Sequence, residues 1–190
     1  MMTSPDPAIL DLRKLRNIPA LTEGWAKVHA ETAAICLEHC DHPTTVPLRV
    51  IVDNDEEQRY TLRRQRVSER MRRANNDLQD ATEFGACGIA FLVVREVTGL
   101  TAINRSRKGT GFDYWLKKDS PDSLPFAHAA RLEVSGILEG TDKELATRTR
   151  QKLNQSKPSD AETRLPAYAV VVEFGEPKAQ VAGPREVHAR

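Results

Sequence analysis

What this chain has little of removes several classes of protein. No apolar run approaches the roughly 20 residues that span a bilayer, and the opening "MMTSPDPAILDLRKLR" has no apolar core of the secretory type, so a cytoplasmic chain without a membrane partner is expected. Cysteine is scarce: Cys36, Cys40 and Cys87 are an odd set, which argues for reduced thiols over a disulfide framework. Net charge is almost nil, +1 at pH 7, so affinity for nucleic acid has to come from local clusters of Arg and Lys. A phosphate-binding glycine fingerprint is missing, because "GTGFD" lacks the strand-loop-helix setting and the Lys that a nucleotide loop requires. So is an acyl-transfer triad: Ser135 has an acid nearby, but no His is spaced to reach it, and His128 reads as a loop histidine.

What is present describes a globular protein. Hydrophobic residues make up 39% and charged residues 29%, and 190 residues suit one main core with an appendage. Residues 1–20, with Pro5, Pro7 and Pro19, read as a flexible lead-in. Thr22 caps a helix through "EGWAKVHAETAAICLEHC", and "VPLRVIVD" and "QRYTLRRQ" flank the turn "NDEE" as a hairpin. Residues 21–66 are therefore expected to form a helix and hairpin extension, followed by an α/β core over 67–183 and a loose tail over 184–190. From Ser68 one long helical stretch runs to Gly99, with Asp80 and Glu83 spaced for a fresh start or kink, and it is apolar on every side from Phe84 to Val94. Three strand-like runs follow, "TAINRS", "GFDYWLKK" and "ARLEVSGIL". Thr141 and Glu144 make a capping box for a second helix that Pro158 stops, and "AYAVVVEF" closes the series as a doubly buried strand. A mixed sheet of about four strands, flanked by helices, is the expected architecture.

Two acids stand out within those strands. Asp113 lies among Phe112, Tyr114, Trp115 and Leu116, and a carboxylate embedded in aromatics needs a partner or a metal. Glu133 lies in an alternating strand, where it is either functional or on the wet side of an edge. Alternation puts Asp113 and Trp115 on one face, and Arg131, Glu133 and Ser135 on one face of the next strand. Glu83 is fully accounted for as a cap partner of Asp80. Cations gather in "RRQRVSERMRR", which reads mainly as a solvated face, and in "NRSRK", where Arg105, Arg107 and Lys108 directly precede Asp113 and are placed to hold phosphates. No aromatics interleave with the first run, so single-strand stacking is not supported there. Cys36, His39, Cys40 and His42 are all zinc-ligand types, but Cys36 and Cys40 fall on the apolar face of a helix and read as a packed helix end.

The order helix, three strands, helix, strand, with "GFDYW" on the second strand and "RLEVSG" on the third, resembles the PD-(D/E)xK superfamily of nucleases, the restriction-endonuclease-like fold, over roughly residues 68 to 175. "SRKGTGFDYW" and "RLEVSG" are also similar to runs in a group of uncharacterised bacterial proteins, a likeness that implies no activity. The nuclease resemblance implies Asp113 and Glu133 as metal-binding acids, Glu83 as the additional helical acid, Mg²⁺ as cofactor and phosphodiester hydrolysis as the reaction. It also implies a Lys two residues after Glu133, where this chain has Ser135. Lys152 on the following helix, or Arg131 on the same strand, would have to take that place. Expected partners are nucleic acid, DNA ahead of RNA, or a protein in a defence or DNA-processing assembly, with self-association left open. A catalytically inactive subunit of the same fold, and an interaction domain with no nucleic-acid role, remain the alternatives.

Overall fold

The structure, a computed structural model, describes residues 6–53, 56–118, 129–156 and 165–184. Its elements in chain order are β1 (Ile9–Asp11), α1 (Glu23–His39), β2 (Thr45–Val52), β3 (Glu56–Arg63), α2 (Glu69–Ala74), α3 (Leu78–Thr98), β4 (Leu100–Arg105), β5 (Tyr114–Lys118), β6 (Ala130–Ile137), α4 (Asp142–Gln155), β7 (Ala167–Glu173) and β8 (Lys178–Ala182). The α/β class holds, with one mixed sheet of eight strands in the order β1-β3-β2-β8-β7-β6-β5-β4. β4, β5 and β6 form an antiparallel meander, and β7 returns parallel to β6 through α4. None of the helices among the described residues is long and apolar enough to cross a membrane.

Several expectations are corrected. Residues 9–18 are built into the fold: β1 pairs parallel with β3, a 3-10 turn follows over Leu12–Asn17, and Leu10, Leu12, Leu15 and Ile18 are buried. Their apolar spacing outweighs the prolines that suggested a lead-in. The helix and hairpin of 21–66 are not an appendage, because β2 pairs parallel with β8 and joins the central sheet, while α1 packs against α3. The long helix is divided as well. Asn75, Asn76 and Asp77 compete for backbone hydrogen bonds, Asn75 Nδ2 donates to the Met71 carbonyl, and Asp77 caps α3 by accepting from Gln79 N and Asp80 N. The cap is thus Asp77 and not Asp80, and Glu83 is freed from the capping role. Gly99 ends α3 at φ 70° as expected. β8 is an additional strand, and His128, Pro158 and residues 185–190 of the tail lie outside the described residues.

Strand alternation places the two core helices on opposite faces. A Cβ on Gly136 of β6 would lie 2.4 Å from the Thr82 carbonyl oxygen of α3, so that face meets α3. Glu133, one step out of phase, bonds Lys152 of α4 on the other face. β7 between them is buried from Tyr168 to Glu173, which accounts for its unbroken apolar run.

Candidate active site

The site forms where two strands part. β5 pairs with β6 only over Tyr114–Leu116 against Ala130–Leu132, and from Glu133 onward β6 continues without β5 beside it. Asp113 stands at the fork, one residue ahead of β5. Its backbone is pinned on both sides: its N–H donates to the Leu132 carbonyl (2.8 Å), and its carbonyl accepts from Ser106 N (2.8 Å). Its Oδ2 accepts from Val134 N at 2.8 Å, satisfying a β6 donor that β5 would otherwise have met. Farther along the same edge, the Gly136 carbonyl accepts from Arg148 of α4.

The turn before Asp113 is held in place too. Gly109 and Gly111 have φ of 94° and 79°, and a Cβ on Gly111 would lie 3.3 Å from the Gln155 carbonyl oxygen at the end of α4. Ser106 Oγ and Thr110 Oγ1 are hydrogen bonded across the turn. Arg107 and Lys108 project from it into solvent.

Across the fork, Glu133 is buried and accepts from Lys152 Nζ at 2.7 Å. Burial pushes its carboxyl up to about 7; the Lys152 ammonium opposes that rise, and the Asp113 carboxylate hydrogen bonded beside it adds to it. Because folding raises this pKa from 4.5, the native state holds the proton more tightly than the unfolded chain, and stability contributed by this group falls as pH rises from 4.5 to about 7. Thermal midpoints measured across that window should therefore decline in the wild type and decline less in Glu133→Gln. Parallel curves would contradict the burial argument.

A pocket of about 190 Å³ opens onto Asp113 and Lys152, the two side chains that flank Glu133. Asp113, Ser135, Lys152, Glu83 and Arg105 supply its polar wall, and Phe84, Cys87, Tyr114 and Val134 the rest. Five elements thus contribute: α3 brings Glu83, β4 Arg105, β5 Tyr114, β6 Ser135 and α4 Lys152, with Asp113 at the fork. Burial raises the Cys87 thiol, with the Asp113 carboxylate adding to the effect, so it is a poor nucleophile. Tyr114 packs edge-on against Phe91 of α3 (4.8 Å) and fixes the floor.

Arg131 is not in this pocket. It is 1% exposed and donates to the carbonyls of Ser156 and Leu165, tying the end of α4 to the approach to β7. Its expected place as a phosphate ligand or as the stand-in for the missing lysine is thereby corrected, because those bonds consume a guanidinium the sheet has buried. The Cys and His of 36–42 do not come together as ligands: Cys36 Sγ lies against Thr82 Oγ1, Cys40 Sγ donates to the Leu138 carbonyl, and His42 Nε2 donates to the carbonyls of Phe174 and Gly175. Burial pushes the Cys36 thiol up to about 12. Among the described residues, no group of three or more His, Cys, Asp or Glu side chains is arranged to hold a metal ion.

One neighbour of the pocket was not singled out from the sequence. Trp25 of α1 lies at the rim, its ring 5.8 Å from that of Phe84 and 5.4 Å below the Arg105 guanidinium. A second cavity of about 230 Å³, between the β2–β3 hairpin and β8, has Asp53 and Glu56 but no Lys or Arg among its described lining residues, so it offers phosphate no counter-charge. Comparison with family models, curated proteins and solved structures gave no match.

Proposed function

We propose that the protein is a divalent-metal-dependent nuclease that hydrolyses phosphodiester bonds in DNA, with α3, β4, β5, β6, α4 and β7 as a restriction-endonuclease-like core. The observation that carries this reading is the meeting of Asp113, Glu133 and Lys152 at one strand fork, from three separate stretches of chain. The order and pairing of the six elements support the core assignment.

The donors fit Mg²⁺, which is commonly held by one or two carboxylates with water and phosphate oxygens completing its shell. Asp113 and Glu133 would hold it, and Glu83 would assist from the pocket wall without being a direct ligand. When bound, the ion supplies an activated water at neutral pH and offsets charge on the phosphate. Lys152 places a cation beside Glu133, where negative charge grows on the phosphate oxygens during attack. It thereby supplies from α4 what position 135 does not. The Ser135 hydroxyl would hold a water in the pocket, and Arg105, exposed at its mouth, would take a neighbouring phosphate, with Arg107 and Lys108 along the approach.

The second reading is a non-hydrolytic subunit of the same fold that binds nucleic acid or a partner protein. It is favoured by the 2.7 Å Lys152–Glu133 pair, which satisfies both charges without an ion. The test is a nuclease assay with Mg²⁺ or Mn²⁺, with a chelator control, on single- and double-stranded DNA and RNA, using wild type, Asp113→Ala and Glu133→Ala. Metal-dependent cleavage lost in both variants supports hydrolysis. Cleavage unchanged in both removes the site assignment, and salt-sensitive binding without cleavage moves the protein to the second reading.

A further inference from the structure

Trp25 is 41% exposed, and only Ile9 and Val28 join it as exposed large hydrophobic side chains among the described residues. Val28 lies three residues along the same face of α1, so the two form one apolar patch. That patch adjoins the acid-lined pocket through two shared neighbours, because Phe84 and Arg105 both touch Trp25 and both line the pocket. The indole is also held on its buried side: the His29 ring, itself 1% exposed, lies 5.8 Å away and is tilted by 30°, and it is anchored by Nδ1 donating to the Phe84 carbonyl at 2.7 Å. A ring held this firmly yet left open to solvent is a prepared contact surface and not a loose side chain.

The pocket and its rim are unlike in chemistry. Four charged side chains, Glu83, Arg105, Asp113 and Lys152, line the pocket, so it suits a phosphate better than a nucleobase, which would have to strip water from those charges. The rim pairs an aromatic ring with a guanidinium, the combination on which unpaired bases stack. A base inside a duplex has both faces covered by its neighbours and has none to give to an indole.

Resting on the nuclease reading above, we propose that Trp25 and Arg105 form a base-stacking platform at the pocket mouth, so that the substrate is single-stranded DNA or an unpaired end, with a base on Trp25 and its phosphate at Arg105. The specificity is for unpaired structure and not for sequence, because every base has a π face.

The sequence has two tryptophans, so a Trp115→Phe protein reports Trp25 alone. Its fluorescence would be titrated, with Ca²⁺ in place of Mg²⁺, using a short oligodeoxythymidylate, an abasic strand of equal length and a blunt duplex. Quenching by the thymidylate alone is the expected result, and Trp25→Ala, with binding read by the anisotropy of labelled strands, should weaken thymidylate binding by about tenfold while leaving abasic binding unchanged. Trp25→Phe, which keeps a ring in the same packing, should retain most of the affinity. Equal binding of all three probes, binding without a change in fluorescence, or no binding of any probe overturns the platform. Cleavage assays separate the two claims. Base-dependent binding without hydrolysis leaves the platform standing and removes the nuclease, whereas equal cleavage of thymidylate, abasic strand and duplex does the reverse.

Discussion

On the nuclease reading proposed above, Lys152→Met should lower metal-supported DNA cleavage by about 10²–10³-fold, the usual effect of removing one charged stabiliser. The loss should be one of turnover, because the proposed phosphate ligands Arg105, Arg107 and Lys108 are untouched. Lys152 is half-buried, with its ammonium 2.7 Å from Glu133, so its methylene stem fills space that methionine also fills. Folding is preserved for that reason. The informative partner is Ser135→Lys in the Lys152→Met background. Position 135 lies two residues from Glu133 on the same strand face and lines the pocket that Lys152 also lines, so a lysine there returns an ammonium to that pocket from β6. Recovery of at least about tenfold in rate over Lys152→Met is the expected outcome. If the double variant stays as slow as the single one, or if Lys152→Met cleaves like the wild type, the relocated-lysine account is wrong.

Gly136→Ala is expected to destabilise the protein by about 1–3 kcal/mol, the cost of overpacking a tight contact. The added Cβ would lie 2.4 Å from the Thr82 carbonyl oxygen, 2.7 Å from Thr82 Cγ2 and 2.9 Å from Thr82 C. Two of these three atoms are helix backbone and cannot swing aside. α3 has to lift off β6, and it carries Glu83, Phe84 and Cys87 of the pocket with it. The thermal midpoint should fall by roughly 2–12 °C for a chain of this size, with cleavage declining in parallel. Gly24→Ala is the control: its new Cβ would meet nothing closer than Thr22 Oγ1 at 3.9 Å, in the first turn of α1, and stability should hold or rise. Similar losses in both variants would show that close packing at Gly136 is not the cause.

The core was legible in the sequence because each of its elements carries an independent local signal. Thr141 with Glu144, Gly99 in the left-handed region, and the apolar run of β7 are such signals, and each appears in the structure where the residues placed it. The outer strands lacked them. β1 has three residues, and β8 reads "KAQVA", with buried Lys178 and Gln180 that obscure its apolar alternation. Lys178 is tolerated there because Asp142 of α4 and Glu176 of the preceding turn surround its ammonium at 2.7 and 2.8 Å. At the site, Asp113 was conspicuous among its aromatic flanks. Arg131 and Lys152 were indistinguishable as cations, because which of them is buried depends on where α4 ends over the sheet. Trp25 shares its helical spacing with buried His29, and periodicity alone puts the two on one face; only the packing of α3 shows that the face stops short of the indole.

The parallel pairing of β2 with β8 has a consequence for how the chain acquires its shape. A hairpin is a local structure and forms in microseconds, so β2 and β3 can pair as soon as both have left the ribosome. The β2 edge that β8 will occupy then stays open while the whole α3-to-β7 region is synthesised and folded. An unpaired edge bearing Val50, Ile51 and Val52 is a template for another chain's strand. The interval before β8 arrives is consequently the period of greatest aggregation risk, and it lengthens whenever translation slows downstream of the hairpin.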